Sequence, residues 1–114
     1  MSSTTGIVDN QTPYPLNISV GGVSHGLNPN IEINPLLPGN KGTVFIAISD
    51  GAGVEGNVVA DGPPESKVTF TLFYDNPVAG SNSGNVTSTN KDYTGTCGVG
   101  SGDNNTNTYT LKPA

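Results

Sequence analysis

In 114 residues the chain carries nine acidic side chains against four basic ones, all lysines, for a formal net charge of −5. With no arginine and no lysine cluster, it offers no basic surface to a nucleic-acid duplex or an anionic membrane. A chain of this length supports one hydrophobic core, so residues 1–114 are read as a single domain. The 32% hydrophobic content is low, but 16 glycines bring the apolar total to an ordinary globular value, and disorder is not expected.

The opening Met1 to Gly6 has neither a basic nor an apolar segment, so it does not read as a secretory signal. No 18-residue apolar run exists, and no transmembrane segment is expected. If the protein is secreted, it is trimmed beforehand or leaves by a non-classical route; otherwise it is cytoplasmic. Cys97 is the only cysteine, which excludes an internal disulfide framework.

Ile7–Asn10 reads as a short first strand, followed by a turn at Gln11–Pro13. In the next strand, Leu16, Ile18 and Val20 share one face while Asn17 and Ser19 take the other. Gly21–Gly22 bends it, and Val23–His25 continues it. Ile31–Ile33 alternates briefly, and Pro38–Gly39 suits a type II turn. Gly42–Ser49 has apolar residues on both faces, as a central strand covered on both sides would. Asp50–Gly53 reads as a hairpin-like turn into a strand over 54–60.

Val68, Phe70, Leu72 and Tyr74 alternate with Thr69, Thr71 and Phe73, the two-residue period of a half-buried central strand. Asp75-Asn76-Pro77 stops it, because proline lacks the ladder N–H and Asp and Asn fold back on nearby backbone. Val78–Asn82 is then a small-residue loop. Beyond it Asn85–Thr89, Asp92–Thr94 and Thr106–Lys112 are strand candidates, with a long flexible loop over 95–105 and the polar last third at an edge.

No window carries a helical period, and nine prolines interrupt what could grow. The expected fold is all-β: a single antiparallel two-sheet β-sandwich of seven to nine short strands with negligible helix, a small barrel being the alternative closure.

Little in the chain suggests catalysis. His25 is the only histidine, and Cys97 has no nearby charge to activate it. Gly98–Asp103 lacks the third glycine of a phosphate cradle and no helix follows. Asp9, Asp50, Asp61, Asp75 and Asp103 sit beside Asn or Gly, where turn geometry accounts for them. Asp61, Asp75 and Asp103 lack the spacing of a calcium loop, and one Cys with one His cannot make a zinc site. No cofactor or metal is expected. Four Asn-X-Ser/Thr acceptors, at Asn10, Asn17, Asn85 and Asn104, are what an Asn- and Thr-rich chain produces by chance. The aromatic groups Tyr14, Phe73, Tyr74, Tyr93 and Tyr109 are candidates for stacking on a sugar or a lipid headgroup, and equally for the core, Tyr74 more so.

Tyr74-Asp75-Asn76-Pro77, with Asn82 beyond, resembles the aromatic-Asp-x-Pro signature of the aegerolysins, small acidic β-sandwich proteins that bind membrane lipids. Tyr74-Asp75 and Ser81-Asn82 are also similar to the end of the central strand in sea-anemone pore-formers and fungal fruit-body lectins. The resemblance implies a non-enzymatic recognition module. It would bind a membrane lipid headgroup or a glycan through loops at one end of the sandwich. Tyr14, Phe73, Tyr74, Asp75, Asn76, Ser81, Asn82 and Tyr93 are then its contact residues. The chain departs from the pattern in having no Trp, in Val78 where an aromatic is expected, and in lacking an N-terminal helix to insert. Scarce lysine on the edges also allows a self-assembling structural subunit, a homo-oligomer without a small ligand.

Overall fold

The structure, a computed structural model, describes residues 2–114. Nine strands follow one another: β1 (Ser3–Asn10), β2 (Asn17–His25), β3 (Asn30–Ile31), β4 (Lys41–Ile48), β5 (Val54–Asp61), β6 (Thr69–Asn76), β7 (Ser83–Ser88), β8 (Tyr93–Gly98) and β9 (Asn104–Pro113). A single 3-10 turn, Pro64–Ser66, is the only helical element among the described residues. The strands form a five-stranded sheet in the order β3-β4-β1-β9-β8 and a four-stranded sheet in the order β2-β5-β6-β7. The expected two-sheet sandwich is what the chain builds.

The two-residue period of the sequence is visible as burial. Along β1, β5 and β6 every second side chain is buried, and those side chains meet between the sheets. Phe45 lies at the centre, its ring 5.3 Å from that of Tyr74 and 5.9 Å from that of Tyr109, in offset geometries that aromatic pairs favour. Val8, Val58, Phe70, Leu72 and Leu111 fill the space around them, all without exposure.

Four local expectations are corrected. β1 begins at Ser3 rather than Ile7, because it pairs along its whole length with both β4 and β9. Its pairing with β9 is parallel, so the sandwich is not purely antiparallel. In the polar last third β7 and β8 are edge strands as expected, but the loop expected over 95–105 shrinks to 99–103 and β9 lies inside its sheet, between β1 and β8. Its polar appearance arises because Asn105, Asn107 and Thr4 face inward and satisfy one another. Finally, Asp50–Gly53 does not close a hairpin but carries the chain from one sheet to the other. In β4 a register shift opposite Gly6 and Ile7 turns both Val44 and Phe45 inward, which explains its apolar residues on both faces without a second cover.

The strand registers define two ends. Ser3, Ile48, Val54, Asn76 and Asn104 share the upper end; Asn10, Lys41, Asp61, Thr69 and Leu111 share the lower one. The molecule measures 41 × 21 × 21 Å. Charge is divided between these ends. Asp50, Glu55, Asp75 and Asp103 lie at the upper end with His25, whereas Lys41, Lys67, Lys91 and Lys112 all lie at the lower end beside Asp9, Asp61, Glu65 and Asp92.

Burial of the aromatic cluster has a measurable consequence. Desolvation raises the Tyr74 phenol from 10.0 to about 12 and pushes Tyr109 up further; ionised Tyr74 would lose water without gaining a donor, and at Tyr109 the bond from the Asn107 amide only partly offsets burial. The Tyr74 hydroxyl has no hydrogen-bond partner among the described residues. Both folded values lie above the unfolded value, so the stability these phenols contribute is present below pH 10 and lost as pH rises through about 12. Absorbance at 295 nm should therefore show two tyrosines ionising late, together with loss of the β-sheet circular dichroism. Four tyrosines ionising near pH 10 in an intact fold would contradict this placement.

Candidate functional site

A cleft opens at the upper end, between the β6–β7 loop and the β8–β9 loop. It encloses about 380 Å³ and is lined by residues 76–78, 80–82 and 99–103. A smaller depression of about 290 Å³ adjoins it across Pro77, Val78 and Asp103 and extends to Ser49, Gly51 and Gly53 of the β4–β5 loop. Together they form one groove with Val78 and Asp103 on the ridge between its halves.

A layer of asparagines fixes these loops. Asn76 is buried, and its amide donates to the carbonyls of Ser3 and Asp103 at 3.0 and 2.8 Å. Asn82 reaches across the cleft and donates to the carbonyls of Gly100 and Gly102 at 3.1 and 3.0 Å. Beneath them Asn105 donates to Asn107 at 2.8 Å, Asn107 to the Tyr109 hydroxyl at 3.1 Å, and that hydroxyl to the Phe73 carbonyl at 2.7 Å. The chain of bonds thus runs from the cleft floor into the aromatic core. In the third loop, Ser49 Oγ accepts from the backbone N–H groups of Gly51 and Gly53, at 2.9 and 3.1 Å. Buried polar groups with their partners in place hold a single geometry, so the groove is preformed.

The rim is apolar where it faces outward. Val78 is 73% exposed and Val99 41%, one at the tip of each cleft loop. Leu27, 55% exposed, stands at the same end, where its N–H bonds the Ile48 carbonyl. Aliphatic tips over a preformed polar groove, with no lysine nearby, suit an interface that is part headgroup and part hydrocarbon.

The eight residues predicted from sequence do not form one site. Ser81 and Asn82 line the cleft, although the Asn82 amide is already engaged in tying its two loops together. Asn76 also borders it, but as a buried brace. Tyr74 is a correction: its ring is 1% exposed and packs on Phe45, leaving no surface for a ligand. Asp75 and Phe73 project from the outer face of the four-stranded sheet. Asp75 pairs across strands with Glu55, which pairs with His25, and the His25 Nε2 to Glu55 Oε1 distance is 3.6 Å. Partial burial and then the nearby Glu55 carboxylate raise the Asp75 pKa, while His25 lowers it. Tyr14 and Tyr93 are the other correction. They stack edge to face, 6.0 Å apart, at the lower end, far from the cleft.

Sequence reasoning missed Val99, Asp103 and the β4–β5 loop. A lone aliphatic residue within a run of Gly, Ser and Asn was the available signal, shared by Val78 and Val99. Cys97 faces the interior, and burial raises its thiol, against a reactive role. No group of three or more His, Cys, Asp or Glu side chains among the described residues is placed to hold a metal ion. No helix among the described residues is long and apolar enough to cross a membrane.

No protein-family model matches the chain, and no curated protein matches it in sequence. Solved structures do. The lipid-binding protein Nakanori superposes with a TM-score of 0.81 at 14% identity, over 97% of this chain and 71% of its own. The RahU protein, solved in complex with a TRIS molecule, gives 0.60 at 14% identity, over 98% and 93%. IP-1A from Alcaligenes faecalis gives 0.53 at 16% identity, over 98% and 91%. At such identities the likeness establishes a shared sandwich fold.

Proposed function

We propose that this protein is a non-enzymatic recognition module that docks its upper end on a membrane surface and takes a lipid headgroup into the groove between the cleft loops. The observation that carries the reading is the pair of exposed valines, Val78 and Val99, flanking a preformed polar cleft of about 380 Å³. Likeness of fold to a protein that binds lipid supports it. Val78 and Val99 would enter the interfacial layer while backbone groups and Asp103 in the cleft meet the headgroup. The asparagine layer keeps the loops from rearranging, so little ordering entropy is lost on binding.

The charge division narrows the surface. Four carboxylates and no lysine at the upper end oppose an anionic bilayer, and one that approached would be repelled over roughly 10 Å at 0.1 M salt. The headgroup is therefore neutral or zwitterionic. Flotation with phosphatidylcholine–sphingomyelin vesicles should recover the protein. Replacing a third of the lipid with phosphatidylserine should lower recovery, and added salt should restore part of it. Recovery that rises with phosphatidylserine, or no recovery with any composition, would contradict the reading.

A further inference from the structure

A second cleft, of about 320 Å³, lies at the lower end on the outer rim of the four-stranded sheet. Its floor is one cross-strand row. Asn17 pairs with Asp61, Asp61 with Thr69, and Thr89 closes the row through bonds in both directions with Thr69. Neighbouring strands lie about 4.8 Å apart, so the row presents four polar side chains in line. The loop from Gly62 to Val68 also lines it, contributing Pro63, Pro64 and Lys67.

Lys67 is the one non-glycine residue among those described with a positive φ, 52°, a conformation that costs a side-chain-bearing residue energy. The surrounding bonds fix it there. Ser66 Oγ donates to the Pro63 carbonyl at 2.6 Å and Asn90 holds the Ser66 carbonyl at 3.1 Å. Lys67 ends the 3-10 turn in this left-handed conformation, its N–H donating to the Pro64 carbonyl, which fixes where its side chain leaves the backbone. Among the described residues the only ion pair is His25 with Glu55, so neither Lys67 nor Asp61 is neutralised by a close partner.

From this arrangement we infer that the lower cleft is a saccharide-binding site, distinct from the upper groove and independent of the headgroup reading. Asp61 spends one oxygen on the Thr69 hydroxyl, at 2.6 Å, and keeps the other to accept from a ligand. Lys67 offers donors, and Asn17 offers both kinds of group. A ligand hydroxyl donates and accepts at once, so adjacent hydroxyls of a sugar satisfy the alternation along the floor. The sugar's C–H face meets the two proline rings. A phosphate would oppose Asp61, and a metal cation would oppose Lys67 with a single carboxylate to hold it; a neutral polyol meets neither objection.

The test is titration of the full chain with methyl glycosides of glucose, galactose, mannose and N-acetylglucosamine, followed by amide chemical shifts. At least one should shift Asp61, Lys67 and Thr89. Asp61→Asn keeps the acceptor for Thr69 but loses the charge, and Lys67→Gly loses the ammonium while relieving the backbone. Each should weaken binding at least tenfold, Lys67→Gly without lowering thermal stability, and Val78→Asp should leave it unchanged. Binding of free glycosides points to soluble glycans. Binding only to glycolipid vesicles, retained when Val78→Asp and Val99→Asp are combined and abolished when Asp61→Asn is added to them, points to a membrane glycolipid. Shifts with inorganic phosphate alone, no shift with any saccharide, or binding that survives both substitutions would overturn the assignment.

Discussion

Gly6→Val should destabilise the fold by about 3 kcal/mol or more. Gly6 has no positive φ, so its backbone conformation would accept any residue. What forbids a side chain is Phe45: a Cβ at Gly6 would stand 2.1 Å from its ring. That ring contacts Tyr74 and Tyr109, so it cannot yield without displacing the cluster at the centre of both sheets. Overpacking a core typically costs ~1–3 kcal/mol, and a β-branched residue at the tightest point belongs at or above the top of that range. Against a total stability of ~5–15 kcal/mol, such a loss is large. The partner substitution separates packing from other causes. Phe45→Ala alone should cost ~3–5 kcal/mol, but combined with Gly6→Val the two losses should add to less than their sum, since the cavity admits the valine. Urea unfolding of the four proteins measures this coupling. Strict additivity would mean that ring and glycine do not meet.

Val78→Asp with Val99→Asp should abolish vesicle binding and leave folding intact. Both side chains are exposed, so their replacement disturbs no packing, and the melting temperature should stay within a few degrees. Burying a valine side chain in an apolar phase is worth ~1.5–3 kcal/mol. Losing two, and adding two carboxylates to an end that already holds four acidic side chains, should reduce partition at least 10²-fold by the usual ~1.4 kcal/mol per decade. Leu37→Asp is the control, because Leu37 is comparably exposed but lies beyond the lower end of β1, where the Asn10 amide bonds the neighbouring Leu36 carbonyl. Its binding should match that of the unaltered chain. Loss of binding in both variants would indicate a general effect of charge rather than a docking end.

The sandwich was legible because burial between two sheets imposes a period of two, and residues 68–74 carry that period without interruption. They thread the inside of the four-stranded sheet as the alternation predicts. β9 was less legible. Its inward positions include Asn105 and Asn107, and a polar residue facing a core is indistinguishable in sequence from one facing solvent until its partners are known. The parallel pairing of β1 with β9 joins residues about a hundred apart, which no local pattern reports. The candidate site divides in the same way. Asp75-Asn76-Pro77 with Asn82 pointed to a loop that lines the cleft, because proline and asparagine are what a tight, braced loop requires. The division of charge between the ends and the meeting of Val78 with Val99 depend on topology. Tyr74 was ambiguous for a physical reason: an aromatic residue at the end of a central strand fills either the last core layer or the first ligand contact, and here Phe45 claims it.

The absence of tryptophan offers a direct test of which end meets the bilayer. A single tryptophan is introduced at Val78 in one variant and at Leu37 in another, and emission is recorded as phosphatidylcholine–sphingomyelin vesicles are added. Docking by the upper end requires a blue shift, and quenching by brominated acyl chains, at position 78 with no change at position 37. A shift at position 37 with none at position 78 would place the membrane contact at the wrong end and contradict the proposed function.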